Sequence, residues 1–280
     1  MGKGKRSKTA PGFGKKLLEQ ARRDKKAFAI YFILRLIVLV SAVLAFIRGD
    51  YESLFFCVLT LVLFLVPSFL EVSLRIDLPT SLEIIIFLFI FAAEILGELQ
   101  AYYVRFAFWD TMLHTVNGFL CAAIGFALID IMNRSERFSL KLSPLYVAVA
   151  AFCFSMTIGV LWEFFEFGMD VFFQTDMQKD FVVHRISSVS LDPTKSNHPV
   201  VIDNITDVVV NGQSLGLGGY LDIGLIDTMK DLLVNFVGAV VFSIIGFFHV
   251  RSRGHGRVAS QFIPRVETEP QDGQGQQDKQ

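Results

Sequence analysis

The amino-acid sequence predicts an all-α, polytopic membrane helix bundle of about six spans, and three observations lead to this fold class. First, 52% of the 280 residues are hydrophobic and the mean hydropathy is +0.50, which is too apolar for an ordinary soluble domain. Second, only 19% of the residues are charged, and they crowd into the N-terminus, one loop and the tail. Third, several nearly uncharged stretches reach the roughly 20 residues that a helix needs to cross a bilayer.

The elements follow these stretches in chain order. A basic segment, 1–26, precedes a span of full length with no small-residue cleavage pattern behind it, which is typical of a retained helix rather than a signal peptide. Five spans lie within 27–173, and the sixth is 227–250. The predicted spans are 27–47, 51–70, 80–100, 110–132, Pro144–Phe173 and 227–250.

Basic residues set the predicted orientation, because cytoplasmic loops of membrane proteins carry an excess of Lys and Arg. With six spans, the basic N-terminus, the loop that carries Arg134, Arg137 and Lys141, and the tail 251–280 all fall on one side. The sequence therefore predicts a multi-pass protein of the cell (inner) membrane with both termini in the cytoplasm, N-in and C-in. The tail is predicted to be disordered, since from Glu267 onward it is rich in Gln, Asp and Gly.

The long stretch 174–226, between the fifth and sixth spans, is predicted to be extracytoplasmic and to form a small β-hairpin or cap. Two parts of it, 181–189 and 200–210, are rich in β-branched residues, and turn-forming residues separate them. The glycine-rich part that follows, 212–219, lacks a phosphate-binding pattern, so a hinge is the predicted role.

The composition also indicates which partners the protein binds and what its cysteines do. The basic N-terminal segment lacks interleaved aromatic residues, so it predicts contact with membrane lipid and no nucleic-acid binding. The three cysteines lie in apolar runs without paired spacing and are predicted to be core residues. Nothing in the sequence indicates an oligomeric state.

Acidic and polar residues inside the spans are the candidate functional residues, because ionisable groups at membrane depth are costly. Their spacing of three or four residues places them on single helical faces, together with glycines. The fourth span carries Asp110, His114, Asn117, Gly118, Cys121 and Gly125, the fifth Gly159, Glu163, Glu166 and Asp170, and the sixth Asp227, Asp231, Asn235 and Gly238. The third span adds Glu94 and Glu98.

These faces are predicted to meet at one depth, near the outer end of the bundle. In the N-in topology the third and fifth spans run outward and end with their acids, whereas the fourth and sixth run inward and begin with theirs. A rise of about 1.5 Å per residue then places the groups within one or two turns of one level. The glycines on the same faces allow the helices to approach closely.

Several chemistries fit such a cluster. Carboxylates with a histidine suit a divalent metal, a general acid and base, or a proton or cation pathway; an interhelical hydrogen-bond network without further function fits too. The candidate catalytic residues are Asp110, His114, Glu163, Glu166, Asp227, Asp231 and Asn235. The candidate metal ligands are His114, Glu163, Glu166 and Asp231. Glu94 is expected to support the site, Glu98 and Asp170 to be solvated, and Trp109 and Trp162 to anchor the interface.

Three segments carry a family resemblance. Asp110 to Gly118, Trp162 to Glu166, and 221–231 resemble the YjdF-like family of uncharacterised prokaryotic membrane proteins, over about residues 94–246. The pattern Asp-x3-His, an acid, then Asp-x3-Asn-x2-Gly also resembles VanZ-like membrane proteins, although Glu166 stands where that pattern tends to Gln. The first resemblance implies the fold and the choice of residues. The second implies an envelope-glycan or lipid-linked substrate.

The leading hypothesis is a metal-assisted membrane enzyme that acts on a lipid-linked or cell-envelope substrate at the outer leaflet. The cofactor is not identified, and a divalent metal is the candidate. A cation or small-solute transporter is the first alternative, although the inner halves of the same helices are almost entirely apolar. A non-catalytic membrane scaffold, with the external hairpin as its contact surface, is the second.

Overall fold

The computed structural model describes residues 25–74, 76–134, 142–252, 261–263 and 265–266, and it confirms an all-helical membrane bundle with small strand hairpins. Five helices within these residues are long and apolar enough to cross a membrane: Phe28–Arg48, Tyr51–Glu71, Trp109–Asp130, Pro144–Phe173 and Leu225–Arg251. The basic segment 1–24, the loop positions Arg137 and Lys141, and the tail from Glu267 onward lie outside the described residues.

The first two spans form an antiparallel pair. Helix α1 (Lys25–Arg48) ends at a tight turn in which Gly49 takes a left-handed φ of 70°. Asp50 then caps helix α2 (Tyr51–Leu63), because its Oδ1 accepts a hydrogen bond from Ser53 N at 3.0 Å. The second span continues as helix α3 (Val66–Leu74).

The third predicted span consists of two kinds of helix. Helix α4 (Thr80–Phe91, 12 residues) runs directly into a π-helix of 8 residues, Ala92–Leu99, which we call the π segment. Together they have the length of a span, so about six spans remain the architecture. The sequence predicted a single α-helix here, and the structure corrects that expectation. A short helix, α5 (Tyr102–Arg105), connects the π segment to the next span.

The remaining three spans make the most extensive contacts with one another. They are helices α6 (Trp109–Arg134), α7 (Pro144–Phe173) and α8 (Leu225–Arg251). A Cβ added at Gly118 would overlap the backbone carbonyl of Asn235, and one added at Gly238 would overlap that of Thr115. The backbones of α6 and α8 therefore touch at positions that only glycine permits, as the small residues of the predicted faces indicated.

The stretch between α7 and α8 contains three small antiparallel strand pairs. Strands β2 (Val182–Val183) and β7 (Tyr220–Leu221) close its base, β3 (Ile186–Ser188) pairs with β4 (Val200–Ile202), and β5 (Val209–Val210) pairs with β6 (Gln213–Ser214). The predicted hairpin is therefore present. In the β3–β4 connection, hydrogen bonds from Thr194 and Ser196 hold the pKa of the Asp192 carboxyl well below its usual range.

Part of the segment predicted to be a disordered tail packs against the bundle. Ile263 is only 4% exposed, and the ring of Phe262 meets that of Phe119 edge-on at 5.6 Å between centroids. The strand β8 (Arg265–Val266) pairs with β1 (Ile76–Asp77), in the connection between α3 and α4. The disorder expected throughout 251–280 does not extend to Phe262 and Ile263, because their apolar side chains bury surface against the helices.

Candidate functional site

The centre of the candidate site is His114, which lies among carboxylates from three helices. Its Nε2 is 3.5 Å from Asp110 Oδ1 on the same helix, α6, and 3.9 Å from Asp231 Oδ2 on α8. Its Nδ1 is 4.0 Å from Glu163 Oε1 on α7. Residues separated by more than a hundred positions thus meet at one imidazole, at the end of the bundle that the sequence predicted.

Two overlapping groups in this cluster have the spacing of a metal site. One group is Asp110, His114 and Asp231, and the other is His114, Glu163 and Glu166; within each group the ligand atoms lie within 4.8 Å of one another. All of these side chains are buried except that of Asp110, which is 25% exposed. The four predicted metal ligands are therefore brought together, with Asp110 beside them.

One oxygen in the cluster has no partner. Glu163 is 4% exposed, and its Oε2 is buried without a hydrogen-bond partner. Among the described residues, His114 is also the only basic side chain within ion-pair distance of the clustered acids. Since buried charges are normally paired or bound to a metal, the negative charge here calls for protons or a cation.

A layer of hydrogen bonds lies below the acids, where the three helices are closest. Asn117 Nδ2 donates to Asn235 Oδ1 at 3.3 Å, and Asn235 Nδ2 contacts Met156 Sδ at 3.6 Å. Ser155 Oγ donates to the backbone carbonyl of Gly118 at 2.7 Å. Both polar atoms of Asn235, a predicted catalytic residue, are thus used in helix packing.

Asp227, another predicted catalytic residue, connects the cluster to the loop above it. Its Oδ2 accepts a hydrogen bond from the backbone N–H of Lys179 at 2.7 Å. On the next residue, the hydroxyl of Thr228 accepts one from Gln178 Nε2 at 2.5 Å. Asp227 is buried but belongs to neither metal-like group; it binds the backbone of Lys179, while Thr228 binds the side chain of Gln178.

Asp170, expected to be solvated, holds the start of the same loop. Its carboxylate accepts hydrogen bonds from Thr175 Oγ1 at 2.8 Å, Met177 N at 2.6 Å and Gln178 N at 2.8 Å. The chain is thereby folded back over the end of α7.

Asp222 is a residue that sequence reasoning did not single out. It accepts hydrogen bonds from Phe181 N at 2.6 Å and from Ile226 N at 2.8 Å, and so joins the base of the loop to the start of α8. It lies two residues before Gly224, the N-cap residue of α8, and a negative charge close to a helix N-terminus is favourable, which was the available signal.

The two tryptophans do more than anchor an interface. Trp162 Nε1 donates to Glu166 Oε1 at 2.8 Å, so it is a direct partner of the cluster. Trp109 Nε1 donates to the carbonyl of Ala92, in the π segment, at 3.3 Å. The spacing of four residues between Trp162 and Glu166 on one helix could have revealed the first bond.

The acids of the π segment stay outside both metal-like groups. Glu94 is half-buried and Glu98 is exposed. The ring of Tyr103 packs over Gly97, where a Cβ would overlap it. Burial, and then the negative charges of Asp110 and its acidic neighbours, raise the pKa of Tyr103 above its usual range.

Comparison with known proteins gives a family and no function. The family described as "Predicted membrane protein (DUF2238)" matches residues 29–252. No curated protein and no solved structure matches the chain. The family match is consistent with the YjdF-like resemblance, whereas no match supports the VanZ-like one.

Proposed function

The chain belongs to the DUF2238 family of predicted membrane proteins, and we propose that it is a metal-assisted enzyme that acts on a lipid-linked or cell-envelope substrate at the outer leaflet. One observation carries the proposal. Buried carboxylates from three helices surround a single imidazole, and one of their oxygens, Glu163 Oε2, has no partner.

The donor set fits a divalent cation in both chemistry and size. Carboxylate oxygen and imidazole nitrogen together suit Zn²⁺, Mn²⁺ and related ions. Ligands bind such ions at about 2.0–2.6 Å, so opposite ligands lie about 4–5 Å apart. The ligand atoms of each group lie within 4.8 Å of one another, so small side-chain movements would close them around an ion.

The residues divide naturally into ligands and supports. His114, Glu163, Glu166 and Asp231 would supply metal ligands, and Asp110, beside Nε2 of His114, would add a ligand, orient the imidazole or act as a base. A bound metal supplies Lewis acidity and an activated water. The indole of Trp162 fixes one oxygen of Glu166, which leaves the other oxygen of that carboxylate for an ion.

The surface of α7 supports a substrate that arrives from the membrane. Glu163 and Glu166 point into the bundle, while the residues between and beside them, Phe164, Phe165 and Phe167, are each at least half exposed. The acids are therefore a fraction of a helical turn away from the lipid-facing surface. A substrate with an apolar anchor would reach the cluster without leaving the bilayer.

Packing beneath the cluster favours an enzyme over a transporter. Ala122, Phe126, Ala151 and Phe242 fill the described core on the other side of the hydrogen-bond layer, and each is at most 1% exposed. A transported cation would need polar groups through this region.

Glu163→Gln tests the proposal, since it keeps the shape of the side chain and removes its charge. We expect metal bound to the purified protein to fall to roughly a tenth of the wild-type level or less, because outer-shell changes alone typically cost 10–100-fold in affinity. Elemental analysis of detergent-solubilised protein, quantified per chain, measures this. Incubation with a membrane lipid extract, followed by mass spectrometry, then looks for a product that forms only with wild-type protein and metal.

Glu98→Gln is the matched control, because it makes the same change on an exposed residue near the same end of the bundle. It should retain the metal. Wild-type protein that binds no Zn²⁺, Mn²⁺ or Mg²⁺ at millimolar concentration would rule out a metal-assisted reaction.

A further inference from the structure

The two nitrogens of His114 face different sets of acids. Nε2 lies nearest to Asp110 and Asp231, at 3.5 and 3.9 Å, whereas Nδ1 lies nearest to Glu163, at 4.0 Å. Glu166 belongs with Glu163 in the second group. The imidazole thus separates the carboxylates into two pairs. Asp110 on α6 and Asp231 on α8 form one pair, and Glu163 and Glu166, both on α7, form the other.

A single ion cannot bind both nitrogens of this ring. The lone-pair directions of the two imidazole nitrogens diverge, so a metal bound to one nitrogen lies away from the other. Asp110 and Asp231 therefore define one position, and Glu163 and Glu166 define another. Two carboxylates at each position carry the charge that balances one divalent cation.

Building on the proposed metal-dependent function, we propose that the centre is binuclear, with two cation subsites that share the imidazole of His114. Subsite A consists of Asp110, His114 Nε2 and Asp231, and subsite B consists of His114 Nδ1, Glu163 and Glu166. When both are filled, the ring binds through both nitrogens, and its one N–H proton is released to solvent.

Independent observations point to a ligand in subsite B. The Oε2 atom of Glu163 is buried without a hydrogen-bond partner, so this carboxylate has a free acceptor inside the cluster. The other acid of the subsite, Glu166, has Oε1 held by Trp162. Subsite A is the more open of the two, because Asp110 is 25% exposed. A substrate or water would therefore reach the cation at subsite A first.

Manganese titration tests the number of subsites. Protein in detergent is stripped with a chelator, titrated with Mn²⁺, and analysed for bound metal per chain. We expect two bound ions and an electron paramagnetic resonance spectrum that shows coupling between them. Asp231→Asn should remove the ion of subsite A, and Glu166→Gln should remove that of subsite B, so each variant keeps one ion with the uncoupled spectrum of isolated Mn²⁺. Glu98→Gln should keep both ions.

The possible results separate this proposal from the function on which it rests. One Mn²⁺ per wild-type chain, with an uncoupled spectrum, overturns the binuclear centre and leaves a metal enzyme standing. Loss of all metal in both single variants, each still eluting as folded protein on size exclusion, also overturns it, because the acids then share one ion. No Mn²⁺ on wild-type protein overturns both. The number of Mn²⁺ ions bound per wild-type chain tests the binuclear centre even if a variant fails to fold.

Discussion

Trp162 and Glu166 form a hydrogen bond between side chains of one helix at the edge of the cluster. The indole N–H donates to Oε1 at 2.8 Å from one helical turn away, while the ring remains 42% exposed and stacks obliquely on Phe165. One side chain thus joins the lipid-facing surface of α7 to a buried carboxylate. Such outer partners orient a ligand and tune its basicity.

Trp162→Phe removes the N–H and keeps an aromatic ring. We expect metal affinity to fall by about 10–100-fold, the usual effect of losing an outer-shell partner, with little change in stability. Isothermal titration with Mn²⁺ or Zn²⁺ measures the affinity. Trp109→Phe is the control, since its N–H donates to the Ala92 carbonyl and touches no acid of the cluster; an equal loss in both variants would contradict a specific role for Trp162.

The two aspartates in the first turns of α8, Asp227 and Asp231, have different partners. Asp231 faces His114 at 3.9 Å, while Asp227, one turn earlier on the same helical face, accepts the backbone N–H of Lys179. The sequence placed both on one face and predicted a catalytic role for both. Which one meets the loop depends on the path of residues 174–181, which local sequence does not encode.

At the scale of elements, glycines set the distance between the helices that build the site. Gly118 on α6 lies against the backbone of Asn235, and Gly238 on α8 lies against that of Thr115. This approach aligns Asp231 with His114, because both lie about one turn above the contact. The small-residue faces predicted this geometry correctly.

Gly118→Ala should force α6 and α8 apart. The added methyl has only backbone atoms to displace, so we expect a loss of about 1–3 kcal/mol in the free energy of unfolding, as for other overpacked cores, and weaker metal binding. Thermal unfolding in detergent measures the stability. Gly168→Ala is the control, since nothing lies within 4 Å of its added Cβ and alanine favours helix; a comparable loss there would count against the packing argument.

The π segment is an element that only the tertiary structure decided. Its residues, Ala92–Leu99, are mostly good α-helix formers, so local preference predicts an α-helix. Two tertiary contacts accompany the wider helix: the ring of Tyr103 packs over Gly97, and the Trp109 indole bonds to the Ala92 carbonyl. Such π insertions are frequent at functional sites, and this one adjoins the cluster.

For the whole molecule, the acids around His114 lie at one end of the bundle, and a mainly apolar core lies beyond them. The loop between α7 and α8 is folded onto the acidic end by the carboxylates of Asp170, Asp222 and Asp227. The strand β8 pairs with β1 at the opposite end, and Phe262 packs on Phe119 in the first half of α6. The clustered acids are therefore close to one end of the bundle, where the proposed site would be reached from a single leaflet of the membrane.

The predicted orientation, N-in and C-in, places that acidic end outside the cytoplasm. In a background without native cysteines, Thr194→Cys should react with a membrane-impermeant maleimide in intact cells, because it lies in the exposed loop. Ser252→Cys, at the end of α8, should react only after permeabilisation. Mass shift on a gel reports both. The reverse pattern would place the cluster at the cytoplasmic face and contradict an outer-leaflet substrate.

The sequence by itself determined the membrane bundle, the bounds of its long helices to within a few residues, and the faces that carry the acids. These properties depend on span length and on helical periodicity, which are local. It also identified the four residues that lie together, His114, Glu163, Glu166 and Asp231, because glycine spacing and span direction fix their depth. Only the tertiary structure decided that the acids divide between two nitrogens of one imidazole, that Trp162 supports Glu166, and that Asp227 and Asn235 serve the loop and the helix interface. Those outcomes depend on side-chain directions and loop paths, which arise when distant segments pack.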